Sequence, residues 1–561
     1  MADFTQKQKI TTRWGQLKTE RASWWMHWQE ITAYFLPRNG RYFIQDRDKG
    51  WRRHNNIFDN TGTKALETLS AGLMGGLTSP ARPWFRLGVA DQDLMKNSDV
   101  KKWLNDVTTL MLTVFQRSNT YRSLHSAYRE LGAFGTSCTL LQEDYRDVIR
   151  HYPLTTGEFC IATDWRGDVT TVYREFQKTV SEIAKEFGPE NCSPTLKTMY
   201  DRGNLDAWVT ILHAIEPRAD RDITKRDPKN MAWKSVYYEM GGNPDKPLRE
   251  SGYKSFQALC PRWDVAGGDI YGNSPAMAAL GDQKQLQHEQ LRKAQGIDYM
   301  TKPPLQVPTN MKNRDVETMP GGLSYVDTAH PSGGIKTLYD VKLDLNHLLA
   351  DIQDVRGRIN SAFFADIFLM ISQDSANSPR MTATEVAELH EEKMLMLGPV
   401  LERLQNELLD PLIEITFQKL LTAGLLPPPP PELQGQDLQV ELVSMLAQAQ
   451  RAIQTNGVDR FVGSLGAIAQ FKPDVLDKFD ADNWAEIYSD ALGVDPTIIV
   501  PAKDVAYIRK QRAAQQAQQM QTAQLEQATG AAKNLAQSPT QGGQSNALQD
   551  VTKMFSGYTG A

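Results

Sequence analysis

The sequence predicts an α+β fold in which a strand-rich region lies between helical regions. Short runs of β-branched and aromatic residues, separated by turn residues, occur between residues 136 and 260. Apolar residues at three- and four-residue spacing precede and follow these runs. The chain has 561 residues, of which 40% are hydrophobic and 23% are charged. This length and composition indicate a globular protein with several domains.

The N-terminal region predicts two helices. Residues 5–36 have a helical pattern that is unusually aromatic, and Pro37 ends it. The aromatic side chains could form an exposed surface for a partner. Packing on the chain's own fold, or on a neighbouring subunit, is the favoured interpretation. A second helix begins near Asp59 or Asn60. Glycines within it predict very close packing against its backbone. They are Gly72, Gly75 and Gly76.

The strand-rich region contains several β-prone segments and one helix. Thr179 and Glu182 form a capping box, which predicts the start of that helix. Turn residues such as Trp165-Arg166-Gly167-Asp168 separate several of the strands. The predicted strands cover residues 139–142, 159–163, 169–176, 208–215, 233–238 and 256–259.

Two helices bracket an irregular insertion after residue 270. Ser274-Pro275 predicts the start of the first helix, which runs to about Ile297. Residues 302–340 are rich in Pro and Gly, and a loop of that length tends to be functional. A strongly amphipathic helix follows the insertion. Its apolar residues are Leu345, Leu348, Ile352, Val355, Ile359 and Phe363.

The C-terminal third begins with a loop and a long helix. Residues 371–381 are small and polar, which predicts a loop. Thr382 and Glu385 form a capping box for a helix that runs toward Leu421. A kink is expected in that helix at Gly398-Pro399.

Five consecutive prolines follow that helix, at residues 427–431. They predict an extended spacer, which is favoured over a ligand for a proline-binding module. Residues 433–500 are helical in tendency. Residues 504–532 are rich in Ala and Gln, which permits a helix. About 25 residues at the C-terminus are predicted to be disordered.

Charge and cysteine content limit the partners of the chain. The formal net charge is -5, so a broad basic surface that grips nucleic acid is not expected. The cysteines are far apart, which argues against zinc and disulfides and favours free thiols. The N-terminus does not resemble a signal peptide, and the most apolar stretch, residues 362–371, is too short to span a membrane. The chain is therefore expected to be cytosolic when made.

The sequence carries no complete motif of a common enzyme class. There is no phosphate-binding P-loop and no serine nucleophile elbow. His390-Glu391 resembles the start of a zinc-binding H-E-x-x-H motif, but Met394 occupies the second ligand position. Acidic pairs in apparent loops could in principle hold a metal. They are Asp46 with Asp48 and Asp91 with Asp93. No catalytic, metal or cofactor residues are predicted.

Four segments together resemble the head-to-tail connecting, or portal, family of short-tailed bacteriophages (podoviruses). Their order and spacing cover most of the chain between residues 70 and 410. They are GLMGGLTSPARPWF at residues 72–85, YGNSPAM at 271–277, MTATEV at 381–386 and LGPVLERLQ at 397–405. The first and third segments are specific as a pair. Residues beyond about 430 carry no such match.

The resemblance implies a portal-type subunit with a mixed wing, a two-helix stem, an inserted clip and a helical crown, assembled as a ring. The implied parts are a wing at residues 1–270, a first stem helix at 271–298, a clip at 299–342, a second stem helix at 343–364, a tunnel loop at 365–381, a long kinked helix at 382–426, a crown at 427–500 and an Ala/Gln-rich helix with a disordered tail at 501–561.

The resemblance also implies a function and partners. Twelve copies would form a ring at one capsid vertex, through which double-stranded DNA is packaged and ejected. The expected partners are terminase, a tail adaptor, and the major capsid and scaffolding proteins, with no membrane. The chain would lie in the virion, and in the host cytoplasm during assembly. It would not be an enzyme, because ATP hydrolysis would belong to terminase.

Candidate DNA contacts lie in the tunnel loop and around the clip. DNA must slide through the channel, and a strongly basic lining would hold its phosphates. A near-neutral lining with few basic residues is therefore expected. The tunnel-loop candidates are Ser372, Gln373, Asp374, Ser375, Asn377 and Arg380. The basic candidates are Lys293, Lys302, Lys312 and Arg314.

Two other classes of function remain open at this point. One is another virion structural protein, such as a tail or internal protein, which would form no central hole. The other is a metal-dependent nucleic-acid-processing enzyme that uses scattered carboxylates such as Asp91 and Asp93.

Overall fold

The structure is a computed structural model of the chain. It describes residues 5–42, 57–91, 94–225, 227–241, 246–307, 335–338, 345–372, 396–433, 438–443, 461–468 and 502–537, with a few shorter pieces between and after them. The chain divides into two units. The first comprises residues 1–94 and 103–476, and the second comprises residues 95–102 and 477–561.

Helices make up much of the first unit. The N-terminal ones are α1 (Gln6–Tyr34), α2 (Thr61–Leu77), α3 (Ser98–Arg117, which enters this unit at Trp103), α4 (Thr120–Phe134), α5 (Val180–Phe187) and α6 (Pro194–Asp201). The later ones are α7 (Pro275–Thr301), α8 (Leu345–Ala362), α9 (Ala365–Ser372), α10 (Gly398–Leu404) and α11 (Asp410–Thr422), with a π-helical turn at Gln405–Leu409.

The strands form antiparallel sheets. They are β1 (Phe85–Val89), β2 (Cys138–Asp144), β3 (Val148–Leu154), β4 (Phe159–Thr163), β5 (Val169–Thr179), β6 (Trp208–Pro217), β7 (Trp233–Glu239), β8 (Arg249–Tyr253), β9 (Ala258–Leu259), β10 (Leu305–Gln306), β11 (Lys336–Thr337) and β12 (Leu438–Leu442). Strands β4 to β8 form one sheet in sequence order, and a second sheet has the order β3-β2-β9. Two further pairs are β1 with β12 and β10 with β11. The α+β class predicted from sequence is confirmed.

Helix α1 packs onto the five-stranded sheet of the same chain. Ile10, Trp14 and Leu17 are buried in one cluster with residues of β4 to β7. The Trp14 ring stacks on Tyr173 of β5, with ring centroids 6.4 Å apart. Packing on the chain's own fold, the favoured interpretation of the aromatic helix, is therefore confirmed for this face.

All six predicted strands are present, but the described residues contain six others that were not predicted. Strands β1 and β12 pair from Phe85 opposite Leu442 to Val89 opposite Leu438. The expectation that residues 433–500 are helical is wrong at β12. After the proline run the chain returns to β1, where β12 pairs with it. The start of the run is held by Trp103, whose Nε1 donates to the carbonyl oxygen of Pro427 at 3.0 Å. Strands β3, β8, β10 and β11 are the other four.

Helix α9 corrects the predicted tunnel-loop boundary. Residues 365–372 were predicted as loop, but Ala365–Ser372 is helical. The apolar sequence ADIFLMIS explains this, because Ile367 and Phe368 are buried. The chain turns sharply at Phe364, whose φ of 54° lies in the left-handed region. Residues 373–381 lie outside the described part of the chain.

The predicted kinked helix is described only from residue 396. Leu397 lies in a turn before α10, with Pro399 in the first turn of that helix. The π-helical turn then separates α10 from α11. The capping box at Thr382 and Glu385 falls outside the described residues.

The second unit contains α12 (Ala502–Gln537), as the Ala/Gln-rich pattern predicts. Wherever its side chains are described, they are half-buried or exposed. Arg509 contacts Asp482 of the same unit through a nitrogen–oxygen distance of 2.6 Å. In the part of the chain that the structure describes, no helix is both long and apolar enough to cross a membrane.

Candidate channel helices and their anchor

Helices α7 and α8 form an antiparallel pair that brackets the insertion, as predicted. Their bounds, Pro275–Thr301 and Leu345–Ala362, are within a few residues of the predicted ones. Leu286 of α7 and three residues of the predicted α8 stripe are fully buried. Those three are Ile352, Val355 and Ile359. The apolar stripe therefore holds the two helices together, at about 0.8 kcal/mol per buried methylene group.

The start of α7 is fixed by local hydrogen bonds. Ser274 Oγ accepts from the Met277 amide at 3.0 Å and donates to the carbonyl oxygen of Ala133 at 2.8 Å. Pro275 occupies the first helical position, where no amide hydrogen is needed. Gly272, two residues earlier, lies against Gly135, because a Cβ there would be 2.4 Å from the Gly135 carbonyl oxygen. The YGNSP segment is therefore the junction between α4 and α7.

A buried carboxylate, Asp59, ties the helix pair to the start of α2. Its Oδ1 accepts from the amide and hydroxyl of Thr61, and its Oδ2 accepts from Gln290 of α7 at 3.1 Å. Arg356 of α8 donates to the same Oδ2 at 2.7 Å. Gln287 completes the anchor, since its amide group bonds the backbone of Asp59 in both directions.

The anchor sets the charge state of Asp59. Burial by itself raises the pKa of the carboxyl group, but hydrogen bonds from Thr61 and Arg356 outweigh it and hold the pKa below its ordinary value. Asp59 is therefore ionised at neutral pH. The sequence predicted Asp59 only as a helix cap; Asn60, at the N-cap position, makes no side-chain cap bond.

A second ionic contact was also missed by sequence reasoning. Arg262 is almost fully buried, and its Nη2 lies 2.6 Å from Oε1 of Glu407 in the π-helical turn. Its backbone amide donates to the other oxygen of that carboxylate at 2.8 Å. No local sequence pattern predicts this contact, because the two residues are far apart in the chain.

The predicted DNA-contact residues are only partly described. Ser372 is the last residue of α9. Gln373, Asp374, Ser375, Asn377 and Arg380 lie outside the described residues. Lys293 is half-buried on α7, while Lys302, just after α7, and Lys312 are exposed. Arg314 is not described. The structure therefore places Lys293 and Lys302 near the C-terminal end of α7.

Apart from Lys312, the insertion between α7 and α8 is described only at its base. Strands β10 and β11 form a two-residue antiparallel ladder there, with Leu305 opposite Thr337. This ladder closes the insertion where it leaves the two helices.

The acidic pairs considered for an enzyme are also mostly outside the described residues. Asp91 is exposed just after β1, whereas Asp46, Asp48 and Asp93 are not described. Among the residues that the structure describes, no group of three or more His, Cys, Asp or Glu side chains is arranged to hold a metal ion.

Comparison with known proteins identifies the family. Residues 7–500 match the family model described as bacteriophage head to tail connecting protein. The chain belongs to this family. The resemblance carried by the four segments is therefore confirmed, and it extends over nearly the whole chain.

Two curated relatives of this connector chain are similar over their full length. The "Probable portal protein" of Bordetella phage BPP-1 is 61% identical over 559 residues, which is 100% of both chains. The "Portal protein" of Salmonella phage epsilon15 is 44% identical over 538 residues, which is 96% of both chains. Both relatives are named as portal proteins.

Solved structures resemble this connector chain only weakly. A chain from the neck of an empty gene transfer agent particle has a TM-score of 0.36 at 12% identity, covering 76% of this chain and 92% of that chain. A chain from the virion of a native gene transfer agent particle has a TM-score of 0.30 at 10% identity, covering 77% and 88% respectively.

Proposed function

We propose that this connector chain is a portal subunit, and that copies of it form a ring at one capsid vertex through which double-stranded DNA enters and leaves. The observation that carries the proposal is the full-length similarity to two phage portal proteins, at 61% and 44% identity. Identity at this level, without large gaps in coverage, favours a shared function for the whole chain rather than for one domain.

The α7–α8 pair supports a role as the stem of the ring. Two antiparallel helices, anchored near their middle by Asp59 and joined beyond the end of α7 by a small ladder, form a stiff rod. A helix of 27 residues such as α7 is about 40 Å long. In this role the insertion at residues 299–342 is the clip and faces the tail. Residues 1–270 are the wing, and residues 427–500 contribute the crown.

The charge of the chain fits a channel through which DNA slides. A net charge of -5 per subunit gives a ring that does not bind phosphates over its whole surface. The basic candidates Lys293, Lys302, Lys312 and Arg314 then act as sparse contacts. Residues 372–377 and Arg380 project into the channel in this proposal, since they connect the stem to the helix that the sequence predicts from Thr382.

The proposed partners follow from this role. Terminase docks on the ring during packaging and supplies the ATP hydrolysis, and a tail adaptor replaces it afterwards. The ring, of twelve subunits, is built into the shell of major capsid protein with scaffolding protein present. The chain itself carries out no chemical reaction in this proposal.

The tunnel-loop assignment is tested by deleting residues 372–377. Rings of the variant should form as the parent's do, because the helix pair and the sheets are untouched. Phage particles assembled with the variant should package or retain less DNA, measured as the ratio of DNA-filled to empty particles. A second variant with these residues replaced by a Gly/Ser segment of equal length is the control for chain length. Normal numbers of filled particles from both variants would refute the assignment.

A further inference from the structure

The α7–α8 pair has two chemically different flanks. With about 100° between successive residues of a helix, Gln353, Arg356 and Asn360 of α8 lie on one side of its buried stripe, and Asp351, Asp354 and Arg358 lie on the other. Contacts with α7 agree with this. On the first side, Gln290 of α7 and Arg356 of α8 both donate to Asp59. On the second side, Asp282 of α7 lies 3.2 Å from Arg358 of α8.

One flank is an acidic edge, formed by Asp282, Glu289, Asp351 and Asp354. Arg358 is one cation of this edge and lies 3.4 Å from Asp354. Lys293, four residues after Glu289, lies on the same side of α7. Asp354 is 71% exposed, so its carboxylate faces solvent in the single chain. Burial and the adjacent Asp351 raise the pKa of Glu289. Oε2 of Glu289 has no hydrogen-bond partner among the described residues. The edge therefore has more carboxyl groups than cations, and the exposed Asp354 can meet a cation of another copy.

The other flank opens into a polar cleft of about 960 Å³ between α8 and the start of α2. Its cations are Arg356 and Lys64, and amide side chains line much of the rest. Arg356 is already paired with Asp59. Lys64 is exposed, and it has no ion-pair partner among the described residues. The cleft therefore presents a cation and amide donors to whatever enters it.

We propose that the acidic edge of one copy of this chain inserts into the polar cleft of the next copy, with Asp354 facing Lys64. A ring requires a heterologous contact, in which two different faces of the same subunit meet. The edge and the cleft are two such faces, of opposite charge, on either flank of one helix pair. Repeating the contact around an axis places the helix pairs side by side. This inference rests on the proposed ring-forming function.

Charge reversal tests the contact. Lys64→Glu or Asp354→Lys places like charges opposite each other at every subunit boundary. Either change should raise the protein concentration at which half of the chains are in rings by about tenfold or more. Lys197→Glu, an exposed reversal on α6 away from both flanks, is the matched control and should assemble as the parent does. Ring formation is measured by mass photometry and negative-stain electron microscopy.

Two rescue experiments separate loss of the contact from loss of folding. The chain with both Lys64→Glu and Asp354→Lys should regain rings, because each boundary again pairs opposite charges. An equimolar mixture of the two single variants should also form rings, in which the variants alternate around an even number of positions. Rescue of assembly shows that each variant is folded.

The outcomes also distinguish this contact from the proposed function. If the parent chain forms rings and both single variants form them equally well, the contact is refuted and the portal proposal stands. If the single variants fail and neither the double variant nor the mixture recovers, the pairing of Asp354 with Lys64 is likewise refuted. If the parent chain forms no rings at all, the proposed function fails, and the contact with it.

Discussion

Asp59 shows how one residue can connect parts of the chain that are far apart in sequence. It is 7% exposed and accepts hydrogen bonds from α2, α7 and α8. Taking a carboxylate out of water is costly unless donors replace the water. Thr61, Gln290 and Arg356 are those donors. This side chain therefore joins both helices of the pair to the start of α2.

Replacement of Asp59 is expected to destabilise the chain. Asp59→Ala leaves Arg356 and Gln290 without their acceptor, and should lower the free energy of unfolding by about 2 kcal/mol at pH 7. This is less than for a fully buried pair, because Arg356 is 35% exposed. Asp59→Asn keeps the shape but not the charge. Chemical denaturation of the unassembled chain measures both variants.

The pH dependence of stability tests whether the charge of Asp59 is what stabilises the chain. The pKa of Asp59 is lowered in the folded chain, so its stabilising contribution is full above the unfolded value of about 4. It is lost as the pH falls through the folded value. The difference in stability between the parent and Asp59→Asn should therefore shrink below about pH 4. A difference that stays constant down to pH 2 would show that charge is not what Asp59 contributes.

Single-residue predictions from sequence succeeded where the partner is local. Thr179 and Ser274 accept hydrogen bonds from amides three residues later, as their patterns predict. The contacts of Asp59 with Arg356 and of Arg262 with Glu407 bridge long separations in the chain. No spacing rule identifies such pairs, because only the tertiary fold brings the two residues together.

At the scale of elements, the glycines of α2 differ in how closely other residues pack against them. A Cβ on Gly72 would lie 2.2 Å from the Phe368 ring of α9, so α2 and α9 approach closely only because that residue is glycine. A Cβ on Gly75 would meet nothing within 4 Å. The predicted close packing is therefore confirmed at Gly72 and is wrong at Gly75.

Alanine at these two positions should have opposite effects. Gly72→Ala forces the Phe368 ring or α9 to move, and should cost about 2 kcal/mol of stability. Gly75→Ala is the matched control, since it adds a methyl group to an exposed helix position and should stabilise the chain by roughly 0.5–1 kcal/mol. Thermal unfolding of both variants checks this. Equal shifts of Tm in the same direction would contradict the assigned contact with Phe368.

Element boundaries were predictable where a periodic pattern and a cap agree. Helix α7 has both, and α8 has a strong periodic pattern; the predicted bounds of both helices were close. Strands β1 and β12 have neither, since each is five residues long and its partner lies at the other end of the first unit. The missed strand β12 follows a run of prolines, which on its own indicates a spacer. Only the distant pairing makes it a strand.

For the whole molecule, the central claim is that the chain acts as a subunit of a ring with an axial channel. Its family membership and full-length relatives support this claim. The charge balance and the anchored helix pair are compatible with a channel wall that does not bind DNA tightly, so that DNA can slide past it. The claim predicts a symmetric particle with a hole, which a monomeric enzyme or an internal virion protein would not form.

Negative-stain electron microscopy of the purified chain tests that claim most directly. End-on views should show rings with a central hole wide enough for duplex DNA, and side views should show a narrow stalk. The twelvefold expectation is checked in the same images by rotational averaging of the end-on views. Discrete monomers, or particles without a hole, over a wide range of protein and salt concentrations would contradict the account.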